Sequence, residues 1–467
     1  MRLPLQLSPE ERARHEALSP VQVRFLDHVA GHAEWSAPET FASIGAIDDY
    51  LPYVPQPWPL FLDSRRYAEM GRAASEVCRL VQQLPVRLFE NDPRRLAEFY
   101  GLTDDASRFL SELIATTDCL PSTVGRGDFL GAPDALKCCE MNMAANLGGF
   151  QIISWEERYL ALPPVSRFLA AERLRGRMIV PTLCLFSHLI DDVLRHGLAA
   201  GGVVNTAVVV AGAPSQVQQD YLDRHFRAVL AAKGGLEGGL RLCQASDLRE
   251  QKGELSLAGW PVHAIIDFVM GQLGRDAYVA QLAGSVRAFN GPLTHLLSDK
   301  LNLALLSETA DTGLWSAEER AAIHRIVPWS RRVAADFTEF QGERAYLPDL
   351  LLDERERMVL KLGMSMGGKG VHVGRATEPE RWAALAEQAL NEPGWMVQER
   401  VDTPTYVFLS PEGEAMEHEV VWGFFAIGDE FSGGFLRMTP VGRAESGVIN
   451  GSLFGGRGGP IIAVEPA

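Results

Sequence analysis

Residues 124–149, VGRGDFLGAPDALKCCEMNMAANLGG, decide how the rest of the chain is read. Apolar runs flank Pro133-Asp134, a turn signal, so the stretch up to Asn142 reads as strand, turn, strand. Side chains two apart on a strand share a face, which puts Glu140 beside Asn142. Asp128, on the first strand, reaches the same face across the short turn. Two carboxylates and an amide oxygen make a hard oxygen set. Mg²⁺ takes such a set alongside substrate phosphates. A polar patch on a solvated sheet face would have the same spacing.

Upstream, residues 60–118 read as helices: Tyr67 to Leu84, Pro93 to Tyr100 and Asp104 to Ala115, with Leu80, Leu84 and Leu88 at helical spacing as core. Residues 1–55 are Pro-rich and irregular after one short helical stretch. Downstream, residues 159–198 return to helix. The β-branched run Val203 to Val210 is a buried strand, Ser215 to Lys233 a helix stopped by Gly234-Gly235, and Leu240 to Ala245 a second strand. This is the pattern of a small α/β unit with a parallel sheet. Gly291 to Leu306 and Thr377 to Leu390 read as helices, and Ser316-Ala-Glu-Glu opens a third with a capping box. Met358 to Leu362 and Trp395 to Arg400 read as strands, Val407 to Arg437 as three antiparallel strands, and the glycine-dense tail from Gly451 to Pro460 as a loop.

Four further places carry chemistry. Strand residues Val359-Leu360-Lys361 run into Gly363, Gly367, Gly368 and Gly370, with Lys369 inside the loop. A point charge followed by unobstructed backbone N–H groups suits phosphate, although a Gly-rich turn without ligand looks the same. No GxxxxGK[ST] loop is present. Gln398-Glu399-Arg400-Val401 ends a strand whose backbone groups can pair with an adenine edge. Asp299-Lys300 lies on the 291–306 helix, where a lone lysine is ordinarily solvated. Arg437 closes Gly433-Gly434-Phe435-Leu436 at a strand end facing Asn450 and the glycines beyond. It can clamp phosphate or carboxylate, or simply lie on the surface. No HExxH, GxSxG or CxH arrangement supports a Zn, Ser or Cys hydrolase.

In this order the motifs resemble the circularly permuted ATP-grasp proteins, which include glutathionylspermidine synthetase and, more distantly, the eukaryotic type of glutathione synthetase. The resemblance spans roughly residues 57–467. It implies a mixed α+β (α/β) ATP-grasp fold, circularly permuted, with N-terminal helices and a small inserted α/β substrate domain. The implied divisions are 1–120, mostly helical; 121–200, the first part of the core with the metal strands; 201–290, the small α/β domain; 291–400, the lid; and 401–467, the last part of the core. The family's Asp…Glu-x-Asn Mg²⁺ ligands fall on Asp128, Glu140 and Asn142. Its two nucleotide lysines fall on Lys300 and Lys361, and its phosphate loop on Gly367, Gly368 and Lys369. Its adenine hinge falls on Gln398, Glu399 and Val401. Its Gly-Gly-x-x-x-Arg strand falls on Gly433 to Arg437, here one residue shorter, which implies catalytic roles for Arg437 and Lys361. One departure is Ser365, near the point where glutathione synthetases carry an acidic metal ligand. No amidase domain like that of bifunctional glutathionylspermidine synthetases is visible.

The implied activity is carboxylate–amine ligation, ADP-forming, through an acyl phosphate, with ATP and Mg²⁺ as cofactors. Two rivals stand beside it: phosphorylation of a substrate without ligation, and a non-catalytic ATP-binding partner protein, which the missing acid near Ser365 favours. Bulk composition agrees with a folded multi-domain protein: 467 residues, 46% apolar and 22% charged. A net charge of −16 with no basic block argues against nucleic acid. The substrates expected are small-molecule or peptide carboxylates and amines, and related folds suggest a homodimer. Six cysteines, Cys78, Cys119, Cys138, Cys139, Cys184 and Cys243, form no CxxC pair and point to a reducing compartment. With no apolar leader and no apolar stretch long enough to span a bilayer, the expected location is cytoplasmic, without a membrane association.

Overall fold

The computed structural model describes residues 6–32, 54–116, 124–291, 296–365, 368–409, 414–443, 447–449 and 456–467. Cys119, Gly367, Asn450 and the glycines 451 and 455 lie outside the described residues. The architecture is a mixed α/β assembly of helices and several sheets, dominated by one sheet of nine strands.

The hairpin predicted around Pro133 forms, with strands Val124–Leu130 and Lys137–Asn142. It sits at one edge of the large sheet. Strand Ala415–Ile427 pairs antiparallel with Val124–Leu130, followed by Glu430–Pro440 and then Arg457–Pro466. Arg457–Pro466 is the pivot of the other edge. Val54–Pro55 and Leu60–Asp63 join it in parallel and Leu174–Arg177 joins it antiparallel. The tail expected to be a loop is therefore a buried strand from Arg457 onward. Gly458, Gly459 and Pro460 pair with Arg437, Leu436 and Phe435. Likewise, the helical run expected over 159–198 is two short helices and Pro181–Arg195, separated by Leu174–Arg177. The N-terminal region contributes Val54–Pro55 and Leu60–Asp63 to the sheet and is not purely helical.

Alternation along the central strands sends side chains to two cores. Phe129, Trp422, Phe424, Leu436 and Ile461 pack beneath helices Ser64–Gln82, Leu301–Thr309 and Ala317–Ile326. Phe61, Phe425, Phe435, Ile462 and Val464 pack against Pro20–Ala30, Ile152–Ala161 and Pro163–Glu172. Local signals start these helices. Asp63 accepts from the N–H groups of Arg65 and Arg66, and Ser316 with Glu319 forms the predicted capping box.

Of the smaller sheets among the described residues, two have four strands each. Four parallel strands run in the order Arg287–Phe289, Ala264–Asp267, Val203–Val209, Glu237–Cys243, with helix Gln216–Lys233 on one side, as the α/β pattern required. The other is antiparallel, in the order Ser330–Arg332, Trp395–Glu399, Met358–Leu362, Val371–Val373, backed by helices Leu347–Asp353 and Pro379–Asn391. The helix expected from Gly291 starts only at Leu301. No described helix is long and apolar enough to cross a membrane.

Two histidines are locked into this framework. The Val407 N–H donates to His15 Nε2 at 3.0 Å, and His418 Nδ1 lies 2.9 Å from the Met416 carbonyl. Both residues are fully buried, and burial pushes each imidazole down to about 4. An unfolded imidazole titrates near ~6.5, so below that pH the unfolded chain binds protons that the folded chain refuses. Stability is therefore full above about pH 6.5. It declines toward pH 4, by about 1.4 kcal/mol per pH unit for each ring. Urea denaturation across that range checks this, and His15→Gln with His418→Gln should flatten the decline.

Candidate functional site

The site begins with register. Asp128 lies directly opposite Glu140, and Arg126 opposite Asn142. A bulge follows: Phe129 pairs with Cys138, leaving Cys139 as the extra residue on the second strand. In a regular strand Cys138 and Glu140 would share a face. The bulge re-aims the chain, so Cys138 enters the core while Glu140 faces the cavity. The expected grouping of Asp128, Glu140 and Asn142 is thus present. Val421 and Arg437, paired with each other on the next two strands of the sheet, line the same cavity, of about 770 Å³.

Asp128 is buried and shared between two guanidiniums. Arg126 Nε donates to it at 3.0 Å, and Arg437 reaches it at 2.5 Å. Asn142 Nδ2 adds a bond at 3.3 Å. Burial opposes ionisation, but Arg126 and Arg437 outweigh it and hold the carboxyl below the usual range. Gly423, opposite Asp128, leaves room for this: a Cβ there would lie 3.3 Å from Arg126 Cδ. Arg437 is not at a strand end, as the glycine tail had suggested, but inside Glu430–Pro440, with Gly458 across from it. Its buried Nε has no hydrogen-bond partner among the described residues.

Lys361 projects from Met358–Leu362 into the same cavity. Its amine donates to the Cys139 carbonyl at 2.8 Å and to Gln398 Oε1 at 2.6 Å, and Gln398 in turn donates to Ser330 Oγ at 3.1 Å. Burial pushes the Lys361 ammonium below the usual lysine range. It also pushes the Cys139 thiol up to about 11.

Lys300 is not a solvated helix lysine. It sits at the N-terminus of Leu301–Thr309, 3% exposed, one layer behind the cavity wall. Asp299 accepts from the Leu301 N–H at 2.8 Å. The Lys300 amine lies 3.2 Å from Glu140 Oε1 and donates to the Ser365 carbonyl. Ser365 turns its hydroxyl onto Leu362 O at 2.8 Å, within its own loop.

The glycine loop itself is pinned to Lys300. Gly363 O accepts from the Lys300 N–H at 3.4 Å, and Leu362 N–H donates to Gly370 O at 2.9 Å. Gly368 (φ 77°) and Gly370 (φ 71°) bracket Lys369, which stands exposed and does not line the cavity. Gly368 does line it, and residues 447–449 close over it, with Val448 3.4 Å from where a Gly368 Cβ would stand. Gln398, Glu399 and Val401 line the end of the cavity, although the Glu399 carboxylate is held by Arg357 at 2.8 Å.

The structure therefore gathers Asp128, Glu140, Asn142, Lys361, Gly368, Gln398, Glu399, Val401 and Arg437 around one space, with Lys300 behind it. Sequence reasoning missed Arg126, although it is two residues from Asp128 on the same strand and so shares its face. It also missed a second cavity of about 430 Å³. This one adjoins the first through Asn146 and Gly148 and opens at the ends of the parallel strands. No cluster of three or more His, Cys, Asp or Glu side chains suited to a metal occurs among the described residues. Asp128, Glu140 and Asn142 supply two carboxylates and one amide, so a cation held there would take the rest of its shell from ligand oxygens, as Mg²⁺ does beside phosphates.

No family profile matches the sequence, and no curated protein matches it. The fold has a solved counterpart. A glutathione synthetase-like effector from Globodera pallida, in its apo form, aligns over 98% of both chains at TM-score 0.55 and 12% identity. At that identity the likeness is one of fold. A protein assigned as a gamma-glutamylcysteine synthetase, from Methylobacillus flagellatus KT, covers 84% of this chain and 87% of its own. Its TM-score is 0.34 and its identity 11%, too low to carry weight.

The shared carboxylate can be tested directly. Asp128→Ala removes the anion that both guanidiniums face. We expect a loss of about 3–5 kcal/mol in denaturant unfolding, the range for breaking a buried pair. A loss below ~1 kcal/mol, the surface-pair range, would show that Arg126 and Arg437 are hydrated in solution.

Proposed function

We propose that the chain is an ATP-grasp ligase of the circularly permuted kind, which uses ATP to activate a carboxylate and join it to an amine with release of ADP and phosphate. The observation that carries this reading is convergence. Two carboxylates, an amide, a buried lysine and an arginine from the large sheet and the 330–399 sheet meet at one cavity, with a second lysine behind them. Shared fold with a glutathione synthetase-like protein agrees with it.

In this reading Asp128, Glu140 and Asn142 would hold Mg²⁺, whose contribution is to neutralise charge at the phosphates. Lys361 and Lys300 take the same phosphates. Lys300 would exchange the Ser365 carbonyl for a phosphate oxygen, which would release Ser365 from that contact. Residues 398–401 frame the adenine, and Lys369 meets phosphate only if the loop turns inward. A substrate carboxylate attacks the γ-phosphorus, giving an acyl phosphate, and an amine then displaces phosphate. Arg437, in the cavity wall, would stabilise the transferring phosphoryl group or the tetrahedral oxyanion. Residues 447–449 and the glycine loop would keep water from the acyl phosphate.

The decisive assay is ADP and phosphate release from Mg-ATP with pools of carboxylates and amines. We expect release to need both, and Glu140→Gln to slow it about 10²–10³-fold, the worth of several kcal/mol of charge stabilisation. Release with acid alone identifies a phosphorylating enzyme. Tight ATP binding without release identifies a non-catalytic nucleotide-binding protein.

A further inference from the structure

Among the described residues, the carboxylates that line the first cavity are Asp128, Glu140, Glu399, Asp402 and Glu419. A cation matches each of the first four. Arg126 and Arg437 share Asp128, Lys300 lies 3.2 Å from Glu140, and Arg357 holds Glu399 at 2.8 Å. Arg400 takes Asp402, with Arg375 3.9 Å from the same group. The half-buried Glu419 carboxylate has no hydrogen-bond or ion-pair partner among the described residues. Register shows where it stands. Side chains two apart on Ala415–Ile427 share a face, so Glu419, Val421 and Gly423 lie in line, about 7 Å per step. Gly423 pairs with Asp128, Val421 with Arg437, and Glu419 with Thr439 and Thr405. Glu419 is therefore diagonal to Arg437, a separation that long side chains span. Arg437 turns the other way, to Asp128. Glu417, the next residue on that face, is already held by Arg14 and by Thr405 Oγ1 at 2.7 Å. The wall thus runs from a matched anion, through the arginine that matches it, to an unmatched anion.

We propose that Glu419 is the catalytic base for the amine in the ligase reading, on which the assignment rests. An alkyl amine titrates near ~10.4, so it reaches the protein as an ammonium, which has no lone pair with which to attack. An unmatched carboxylate in the wall is the group that draws such a cation in. The other four would each have to leave a cation unmatched to do so. Two protons must leave the amine nitrogen. The first passes to water, which leaves a neutral amine donating a hydrogen bond to Glu419. The nitrogen lone pair then bonds to the acyl carbon, and the second proton passes to Glu419. The C–O bond to phosphate breaks, and phosphate leaves with its electron pair. Glu419 returns its proton to water as the products depart. With the acyl group at Arg437, the diagonal placement of Glu419 brings the nucleophile to it from the neighbouring position on the same face.

Hydroxylamine separates this role from a structural one, because it is neutral near pH 7 and attacks an acyl phosphate without help from a base. The full chain is given Mg-ATP and a pool of amino acids and their N-acetyl forms as acids. The nucleophile is either hydroxylamine or one of ammonium, propylamine and glycinamide. Hydroxamates and amides of the pooled acids are then read by mass. Glu419→Gln should slow amide formation about 10²-fold, with a raised KM for the amine, and should slow hydroxamate formation by a far smaller factor. Glu419→Asp, which keeps the carboxylate, should recover part of the amide rate. Equal losses with hydroxylamine and with the amines, or no loss with either, overturn the assignment. So does an unaltered protein that makes hydroxamates but no amide from the three amines. In each of these cases acid-dependent hydroxamate from the unaltered protein keeps the ligase reading. Its absence removes that reading, and the role of Glu419 with it.

Discussion

Much of this site depends on one buried carboxylate. Asp128 lies inside a sheet, where a lone charge is expensive, and it persists there because Arg126 and Arg437 share it. Each guanidinium comes from a different strand. Arg126 stands two residues away on the same strand, and Arg437 comes from the far side of Ala415–Ile427. The triad therefore joins two strands by side chains across the strand that lies between them. Glycine makes that coupling fit: Gly423 lets Arg126 cross the middle strand, and Gly458 stands opposite Arg437.

The same logic of matched charge extends outward. Glu140 is matched by Lys300, and Lys300 also carries the Ser365 carbonyl. Lys361 is satisfied by Gln398 and the backbone of Cys139. These contacts join the hairpin of the large sheet to the 330–399 sheet and its glycine loop. They tie together parts of the chain more than two hundred residues apart. In this arrangement the loop is held by a carbonyl that any better partner of Lys300 can replace.

How much of this a sequence shows depends on whether the cause is local. The hairpin at Pro133, the capping box at Ser316, the helix stop at Gly234 and the β-branched strand at Val203 were legible because local chemistry decides each. The paired placement of Glu140 and Asn142 followed from strand period alone. What stayed hidden was tertiary. Glycines 456, 458 and 459 read as a loop, yet large-sheet pairing makes the chain from Arg457 a buried strand, and small residues there leave room beside Arg437. The bulge at Cys139 has no local signature, although it decides which face Glu140 takes. Lys300 looked solvated because burial of a lysine depends on a partner, Glu140, that is 160 residues away in the chain. The second cavity was invisible for the same reason.

The charge count of the first cavity gives these local facts a common sense. Among the described residues, Arg126, Lys361, Arg375, Arg400 and Arg437 line it on the basic side, and Asp128, Glu140, Glu399, Asp402 and Glu419 on the acidic side. The wall is thus balanced charge for charge, in a protein whose net charge is −16. A divalent cation arriving alone would have to pull Asp128 and Glu140 from their basic partners and leave those cations buried and unmatched. A polyphosphate arriving alone would draw the basic groups away and strand the carboxylates. In the ligase reading we propose, the two arriving together would exchange partners with the wall, the carboxylates passing to the metal and the lysines and arginines to the phosphates, with no charge left bare. On that reading a self-neutralised site would favour the metal–nucleotide complex over either component. Arg126 and Arg437 on Asp128, and Lys300 on Glu140, meet the rule that buried charge must be paired.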